Sequence, residues 1–105
     1  MVLDELVKFA KQHHEGFAQV PDEILKQWLL KYQKTILVYY KEDRSIGGFG
    51  IYQDWPDFLN FIAIIGTGSP VENLRAMLKG RDLLPDKPIW FFDEQKMKAR
   101  RLCRQ

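Results

Sequence analysis

The sharpest chemical feature of the sequence is a loop of small residues, Gly66, Thr67, Gly68 and Ser69, which follows an apolar run. A loop that leads from a strand to a helix N-terminus presents backbone N–H groups and the positive end of a helix dipole, which together can hold phosphate oxygens. It is neither a Walker loop, because no Gly-Lys-Ser/Thr follows, nor a Rossmann loop, because the strands before it predict a meander. A simpler interpretation stays open, in which Ser69 caps the helix and the glycines permit a tight turn.

The histidines and the cysteine do not predict a metal site. His13 and His14 are adjacent, so they do not share a helix face, and no H-x-x-x-H motif or cysteine accompanies them. They are interpreted as capping the end of the first helix. Cys103 is the only cysteine, which excludes an intramolecular disulfide and a Cys-rich zinc site and favours a reducing compartment.

Basic residues are concentrated near the C-terminus, at Lys96, Lys98, Arg100, Arg101 and Arg104. On a strand, the first three would share one face and could contact phosphates. A solvated edge strand whose charges discourage sheet-to-sheet aggregation is the simpler interpretation, so nucleic acid is not the expected partner. Trp55 is the exposed aromatic candidate for contact with a protein partner.

The composition favours a single domain over residues 1–105. The chain is 46% apolar and 13% aromatic, which is enough to bury a core without disulfides. Its net charge of +2, from 16 basic and 14 acidic side chains, is too small for the whole molecule to attract nucleic acid or a membrane surface strongly. The longest apolar run, Phe61 to Ile65, is too short to span a bilayer, and the start lacks a signal-peptide pattern, so a cytoplasmic protein is expected.

Hydrophobic periodicity predicts the elements that must position the loop. Two N-terminal helices are expected over about residues 2–13 and from Pro21 to about Tyr32. Three strands follow, at 35–40, 45–52 and 58–65, with short connections that favour an antiparallel meander. The glycines within the second of these strands, Gly47, Gly48 and Gly50, predict a bulge, a sharp bend or a close approach of another backbone or a ligand. Asp54 begins the turn before the third strand.

The part of the chain after the loop predicts a helix and one or two further strands. Ser69 as N-cap, Pro70 at the first helical position and Glu72 form a capping-box pattern. Residues 89–92 make a buried strand, and 97–103 could pair with it as a hairpin. The expected fold class is therefore α+β.

This order of elements resembles the GNAT superfamily of acyl-CoA-dependent N-acyltransferases over roughly residues 20 to 92. The resemblance implies that acetyl-CoA or another acyl-CoA lies between strands 58–65 and 89–92, that the loop amides bind its pyrophosphate, and that an amine is the acceptor. The cofactor-binding residues implied in this way are Ile64, Ile65, Gly66, Thr67, Gly68 and Ser69. Tyr52, Asp54 and Glu94, near predicted strand ends, are possible participants in proton transfer, but no residue is assigned as catalytic.

The chain also departs from that family's pattern. Ala63 stands where the pyrophosphate motif has Gln or Arg, no strand precedes the first helix, and the basic stretch 96–104 replaces the helix after the fifth strand. In these respects it is similar to small GNAT-like proteins of bacteriophages and other mobile elements. Two functions stay open: an N-acyltransferase or a catalytically degenerate relative, and a non-enzymatic protein-interaction module.

Overall fold

The computed structural model describes residues 3–79 and 86–102, which form four α-helices and a five-stranded mixed sheet. The helices are α1 (Leu3–His13), α2 (Glu15–Ala18), α3 (Asp22–Lys31) and α4 (Pro70–Leu78), and a 3₁₀ turn, Gln33–Thr35, follows α3. The strands are β1 (Ile36–Tyr40), β2 (Ile46–Asp54), β3 (Leu59–Gly66), β4 (Ile89–Asp93) and β5 (Lys98–Arg101). The predicted α+β class is confirmed.

The strands follow one another in chain order across the sheet, β1-β2-β3-β4-β5. The first three form the predicted antiparallel meander, and β4 and β5 form the predicted hairpin. Between them, β3 and β4 are parallel, because α4 returns the chain to the end of the sheet where β3 begins. Val2, Cys103 and Arg104, to which some sequence predictions refer, lie outside the described residues.

The prediction of two N-terminal helices is wrong, because the described chain forms three. His14 has an extended backbone (φ −140°, ψ 113°) that separates α1 from α2, and Gly16 lies inside α2. The short helix is held by its aromatic side chain, since the rings of Phe17 and Trp28 lie 5.6 Å apart. Pro21 occupies the N-cap of α3, one position before the first turn in which it was expected.

The turn between β2 and β3 is shorter than the sequence predicts. Asp54 pairs with Leu59 and therefore belongs to β2. The backbone N–H of Trp55 donates to the Phe58 carbonyl at 3.0 Å, which closes the turn. Extra pairing at the end of β2 therefore accounts for the difference.

The sheet has helices on both faces, but unequally. On the first face, α1 and α3 pack with apolar residues of β1 to β3, among them Ile36, Phe49, Ile51 and Ile65. On the second face, α4 packs through Leu74 and Met77 on Leu37, Leu59, Phe61, Ile89 and Phe91. Within the described chain, no helix reaches the length and apolarity needed to cross a bilayer.

The first face of β4 is left open. Along this strand Ile89, Phe91 and Asp93 are buried, whereas Trp90 and Phe92 are 38% and 51% exposed. Because side chains alternate between the faces of a strand, the two exposed rings share the face on which α1 and α3 cover the neighbouring strands. Trp90 and Phe92 therefore lie beside the core that α1 and α3 cover, and they are not part of it.

Candidate functional site

The candidate site is a cleft between the parallel strands β3 and β4. They pair only at their beginnings, with Leu59 opposite Ile89 and Phe61 opposite Phe91, and the rest of β3 pairs with β2 alone among the described residues. The carboxyl ends of the two strands are thus separated. In sheets with parallel strands, ligands commonly bind outside such carboxyl ends.

A bulge in β3 lies where the two strands part. In the pairing with β2, Ile51 is opposite Ala63 and Tyr52 is opposite Phe61, so Ile62 is an extra residue. The faces change at this point, because Phe61 packs in the second-face core whereas Ala63 packs against the first-face core. A bulge bends the strand that carries it, which explains why β3 leaves β4 after Phe61.

The cleft contains a cavity of about 280 Å³, and its lining residues are six apolar ones and one carboxylate: Phe61, Ile62, Ala63, Ile64, Pro70, Phe92 and Glu94. Beyond Phe61, the edge of β3 that faces the cleft has no strand partner in the described chain. Its backbone N–H and C=O groups can therefore bind an extended ligand that carries amides.

The Gly-rich loop opens at the same end as the cleft. Strand β3 ends at Gly66, and Pro70, the first residue of α4, lines the cavity. Ser69 is the N-cap, and its Oγ accepts the Glu72 backbone N–H at 3.2 Å, as predicted for this half of the capping box. The cleft and the positive end of the α4 dipole are thus neighbours.

Asn73 holds the loop from within α4. Its side chain is 4% exposed, its Oδ1 accepts the Gly68 N–H at 3.1 Å, and its Nδ2 donates to the Gly68 carbonyl at 3.1 Å. The Tyr39 hydroxyl also donates to Oδ1, at 3.2 Å. Asn73 is not among the residues predicted from the sequence, although Asn is a poor helix former and its position inside a helix is a signal for a specific hydrogen-bonding role.

The glycine at position 66 makes room for that amide. A Cβ on Gly66 would lie 2.5 Å from Asn73 Cγ, whereas one on Gly68 would lie 3.3 Å from Asn73 Oδ1. Gly66 is therefore explained by close packing inside the protein. This supports the simpler interpretation of the loop as a turn, and it also means that the loop is preformed.

The charge beside the loop is negative. Glu72 Oε2 would lie 3.5 Å from a Cβ placed on Gly68. Burial and, second to it, the Glu72 carboxylate raise the pKa of the Tyr39 hydroxyl above its usual value. A carboxylate at a helix N-terminus is favourable in itself, but it repels an anion that approaches the same amides.

The glycines of β2 have a structural explanation. Pairing runs from Tyr39 opposite Gly48 to Tyr40 opposite Ile46, which leaves Gly47 as a bulge residue. A Cβ on either glycine would lie within 2.5 Å of the Tyr39 ring. The predicted bulge is present, but the group closest to these two glycines is a side chain of the neighbouring strand rather than another backbone or a ligand.

The three residues that the sequence suggests for proton transfer do not lie together in the structure. Glu94 lines the cleft, and its Oε1 lies 3.3 Å from His14 Nε2. Asp54 is at the opposite end of β3 from the loop and accepts a bond from Lys87 Nζ at 2.6 Å. Tyr52 packs against Phe61, with 5.6 Å between the ring centroids. Only Glu94 of the three lines this cavity.

His14 has a different role from the predicted helix cap, because its imidazole contacts Glu94 in the β4–β5 turn. The contact links the N-terminal helices to the far side of the cleft. Among the described residues, no three His, Cys, Asp or Glu side chains form a group that could hold a metal ion.

Trp55, the predicted partner contact, is 49% exposed and lies at the β2–β3 turn. Its ring stacks on Phe58 at 6.3 Å with an interplanar angle of 9°, and its Nε1–H donates to Gln53 Oε1 at 3.2 Å. Residues of its own turn thus hold the Trp55 ring, which lies at the opposite end of β3 from the loop 66–69.

No family model, no curated protein and no solved structure matches the chain.

Proposed function

We propose that the cleft between β3 and β4 binds an acyl-CoA and that the chain is a small GNAT-like domain, active as an N-acyltransferase or descended from one. The observation that carries the proposal is the separation of two parallel strands after Phe61 and Phe91, at the end where residues 66–69 lead into a capped helix. The cavity, the open strand edge and the helix dipole occur together there.

The pantetheine arm is the part of an acyl-CoA that fits the cleft best. It is an extended chain with two amides, and the edge of β3 at Ala63 and Ile64 offers backbone groups that β4 does not use. Its methylene groups suit the apolar walls formed by Ile62 and Phe92. Binding in this way resembles the addition of a short strand to a sheet edge.

The loop offers fewer phosphate donors than its composition suggests. The Gly68 N–H is held by Asn73, the Glu72 N–H is held by Ser69, and Pro70 has no N–H. Among the described residues the backbone N–H groups of Thr67, Ser69 and Val71 have no hydrogen-bond acceptor, so a pyrophosphate would depend on these donors. With the Glu72 carboxylate nearby, we expect this part of the ligand to contribute modestly to affinity.

If the domain is active, Glu94 is the best-placed proton acceptor. The amine nitrogen would attack the thioester carbonyl, the CoA thiolate would leave, and the ammonium proton would pass to the Glu94 carboxylate directly or through water. Glu94 lines the cleft, and its Oε1 also contacts His14 Nε2 at 3.3 Å.

Calorimetric titration with acetyl-CoA tests the proposal. Ile62 lines the cleft and is 37% exposed, so Ile62→Trp should fill the cavity without disturbing the core and abolish binding. Ile24→Trp on α3, where the side chain is 61% exposed, adds the same bulk away from the cleft and should bind as the wild type does. Absence of wild-type binding at millimolar acetyl-CoA, or equal binding by both variants, contradicts the proposal.

Glu94→Gln separates binding from catalysis. This variant should bind acetyl-CoA as the wild type does, while release of CoA thiol in the presence of a primary amine falls. If the wild type binds but releases no thiol with any amine tested, the domain keeps the site and has lost the chemistry.

A further inference from the structure

We propose that the outer edge of β5, with the open face of β4 beside it, binds an extended acidic segment of a partner protein as a sixth strand of the sheet. This surface shares the Phe92 ring with the acyl-CoA cleft but is centred on β5, and the inference does not depend on the function proposed for the cleft. It is one specific form of the non-enzymatic protein-interaction module, the second function that the sequence leaves open.

The hydrogen-bond pattern of the hairpin shows which groups of β5 point outward. The Leu102 N–H donates to the Ile89 carbonyl at 2.8 Å, and Arg100 is opposite Phe91 in the same register. In an antiparallel pair, hydrogen-bonded and non-hydrogen-bonded positions alternate. The N–H and C=O groups of Ala99 and Arg101 therefore point away from β4, toward an edge that no described strand occupies.

The charges along this edge favour an acidic partner. Arg100 is satisfied internally, because its guanidinium lies 2.7 Å from Oδ2 of the buried Asp93. Lys96, Lys98 and Arg101 are exposed and form no ion pair with any residue that the structure describes. A second copy of the chain would bring like charges together, whereas an acidic segment would be attracted to these cations, with the carboxylates on one face of the added strand lying next to Lys98.

The open face of β4 adds an apolar contact. Trp90 lies opposite Arg101, and Phe92 lies opposite Ala99, whose small side chain leaves the Phe92 ring 51% exposed. An added strand would place alternate side chains over this face, next to Ala99. The partner segment should therefore alternate acidic residues with β-branched apolar ones.

A single-stranded nucleic acid fits the same surface less well. Its bases would stack on Trp90 and Phe92, and its phosphates would need cations on that face. Of the described β5 cations, Arg101 lies there, whereas Lys98 and Arg100 alternate onto the other face with Asp93 and Phe91. The outward backbone groups of β5 are of use only to another strand.

NMR titration with defined probes tests this inference. The probe is a soluble peptide of about ten residues that alternates Glu with Val and Thr, the charge control has Lys in place of Glu, and an oligothymidylate of about twelve nucleotides is the third arm. With the acidic peptide, we expect the Ala99 and Arg101 amide signals to shift and their exchange with solvent to slow. The double substitution Lys98→Glu with Arg101→Glu should weaken binding at least about fivefold.

Two substitutions of Ala99 test backbone strand pairing separately from charge. Ala99→Pro removes an outward N–H that β4 does not use, and proline is tolerated on edge strands in that orientation. It should abolish peptide binding, whereas Ala99→Val should keep it, and both variants should still bind any ligand of the cleft. The thermal unfolding midpoint of each variant shows that it is folded.

Three outcomes would overturn the inference. These are binding of the oligothymidylate but not the acidic peptide, peptide binding that survives Ala99→Pro in a folded variant, and peptide binding that is lost on Trp55→Ala. A fourth such outcome is failure of the acidic peptide to bind at low salt and millimolar concentration, whether or not the Lys control binds.

Discussion

Asn73 forms a closed pair of hydrogen bonds with a single backbone unit, since it accepts the Gly68 N–H and donates to the Gly68 carbonyl, each at 3.1 Å. This pair fixes the loop between β3 and α4 before any ligand is present. We expect Asn73→Ala to lower the free energy of unfolding by about 2 kcal/mol, because a buried amide with several partners is lost. Urea unfolding measures the change. An unaltered unfolding midpoint would show that the loop is held by other contacts.

The two glycines of the loop should differ in their tolerance of a methyl group. In Gly66→Ala the new Cβ would meet Asn73 Cγ at 2.5 Å, so we expect a loss of about 1–3 kcal/mol in the free energy of unfolding. Gly68→Ala, with its nearest contact at 3.3 Å, is the matched control and should cost less. Equal effects of the two substitutions would argue against the packing of Asn73 on Gly66.

The Glu72 carboxylate should oppose binding of a phosphate-bearing ligand at the loop. If acetyl-CoA binds there, Glu72→Gln should raise its affinity about two- to fivefold, since a charge near a helix N-terminus contributes about 0.3–1 kcal/mol. Glu23→Gln removes a charge from the first turn of α3 and should leave the affinity unchanged. Titration calorimetry of both variants gives the comparison. A weaker affinity for Glu72→Gln would mean that the carboxylate supports the site.

Stability in acid should depend on the buried carboxylate of Asp93. The bond from the Arg100 guanidinium, followed by backbone N–H groups of Lys96 and Gln95, holds the Asp93 pKa below its usual value. A pKa that is lowered in the folded state adds stability above the unfolded value of 3.8, and this stability is lost as the pH falls through the folded value. Urea unfolding from about pH 6 to about pH 2.5 should therefore show a shallower decline for Asp93→Asn.

The control for the acid series is Asp57→Asn, which removes an exposed carboxylate and should retain the wild-type decline. Part of the decline should persist in Asp93→Asn as well. The Ser45 hydroxyl and N–H lower the pKa of Asp43, so that residue also contributes in acid. Identical slopes for Asp93→Asn and the wild type would refute the role of the Asp93–Arg100 pair.

The sequence predicted the elements of the fold well where a periodic pattern or a cap marks them. The meander and the start of α4 follow from β-branched runs and from Ser69 and Pro70. The third N-terminal helix was missed, because the break at His14 comes from one extended backbone conformation rather than from a proline or glycine.

The geometry of the site was less accessible. The open cleft depends on the bulge at Ile62, and a bulge is defined by pairing with another strand rather than by residue type alone. Likewise, the sequence predicts that Trp55 is exposed, which is correct, but it does not predict the exposure of Trp90 and Phe92, which arises because α1 and α3 do not extend over β4. Both properties belong to the tertiary arrangement.

The extra residue in β3 has a consequence for how such a cleft can arise. Without Ile62, the inward positions Leu59, Phe61 and Ile64 would follow one another in uninterrupted alternation, and all three already pack in the same core. A straight strand of that kind could pair with β4 beyond Phe91. A single extra residue therefore marks the difference between a strand that could continue beside β4 and one that leaves it, while the residues on either side of the bulge stay in their cores.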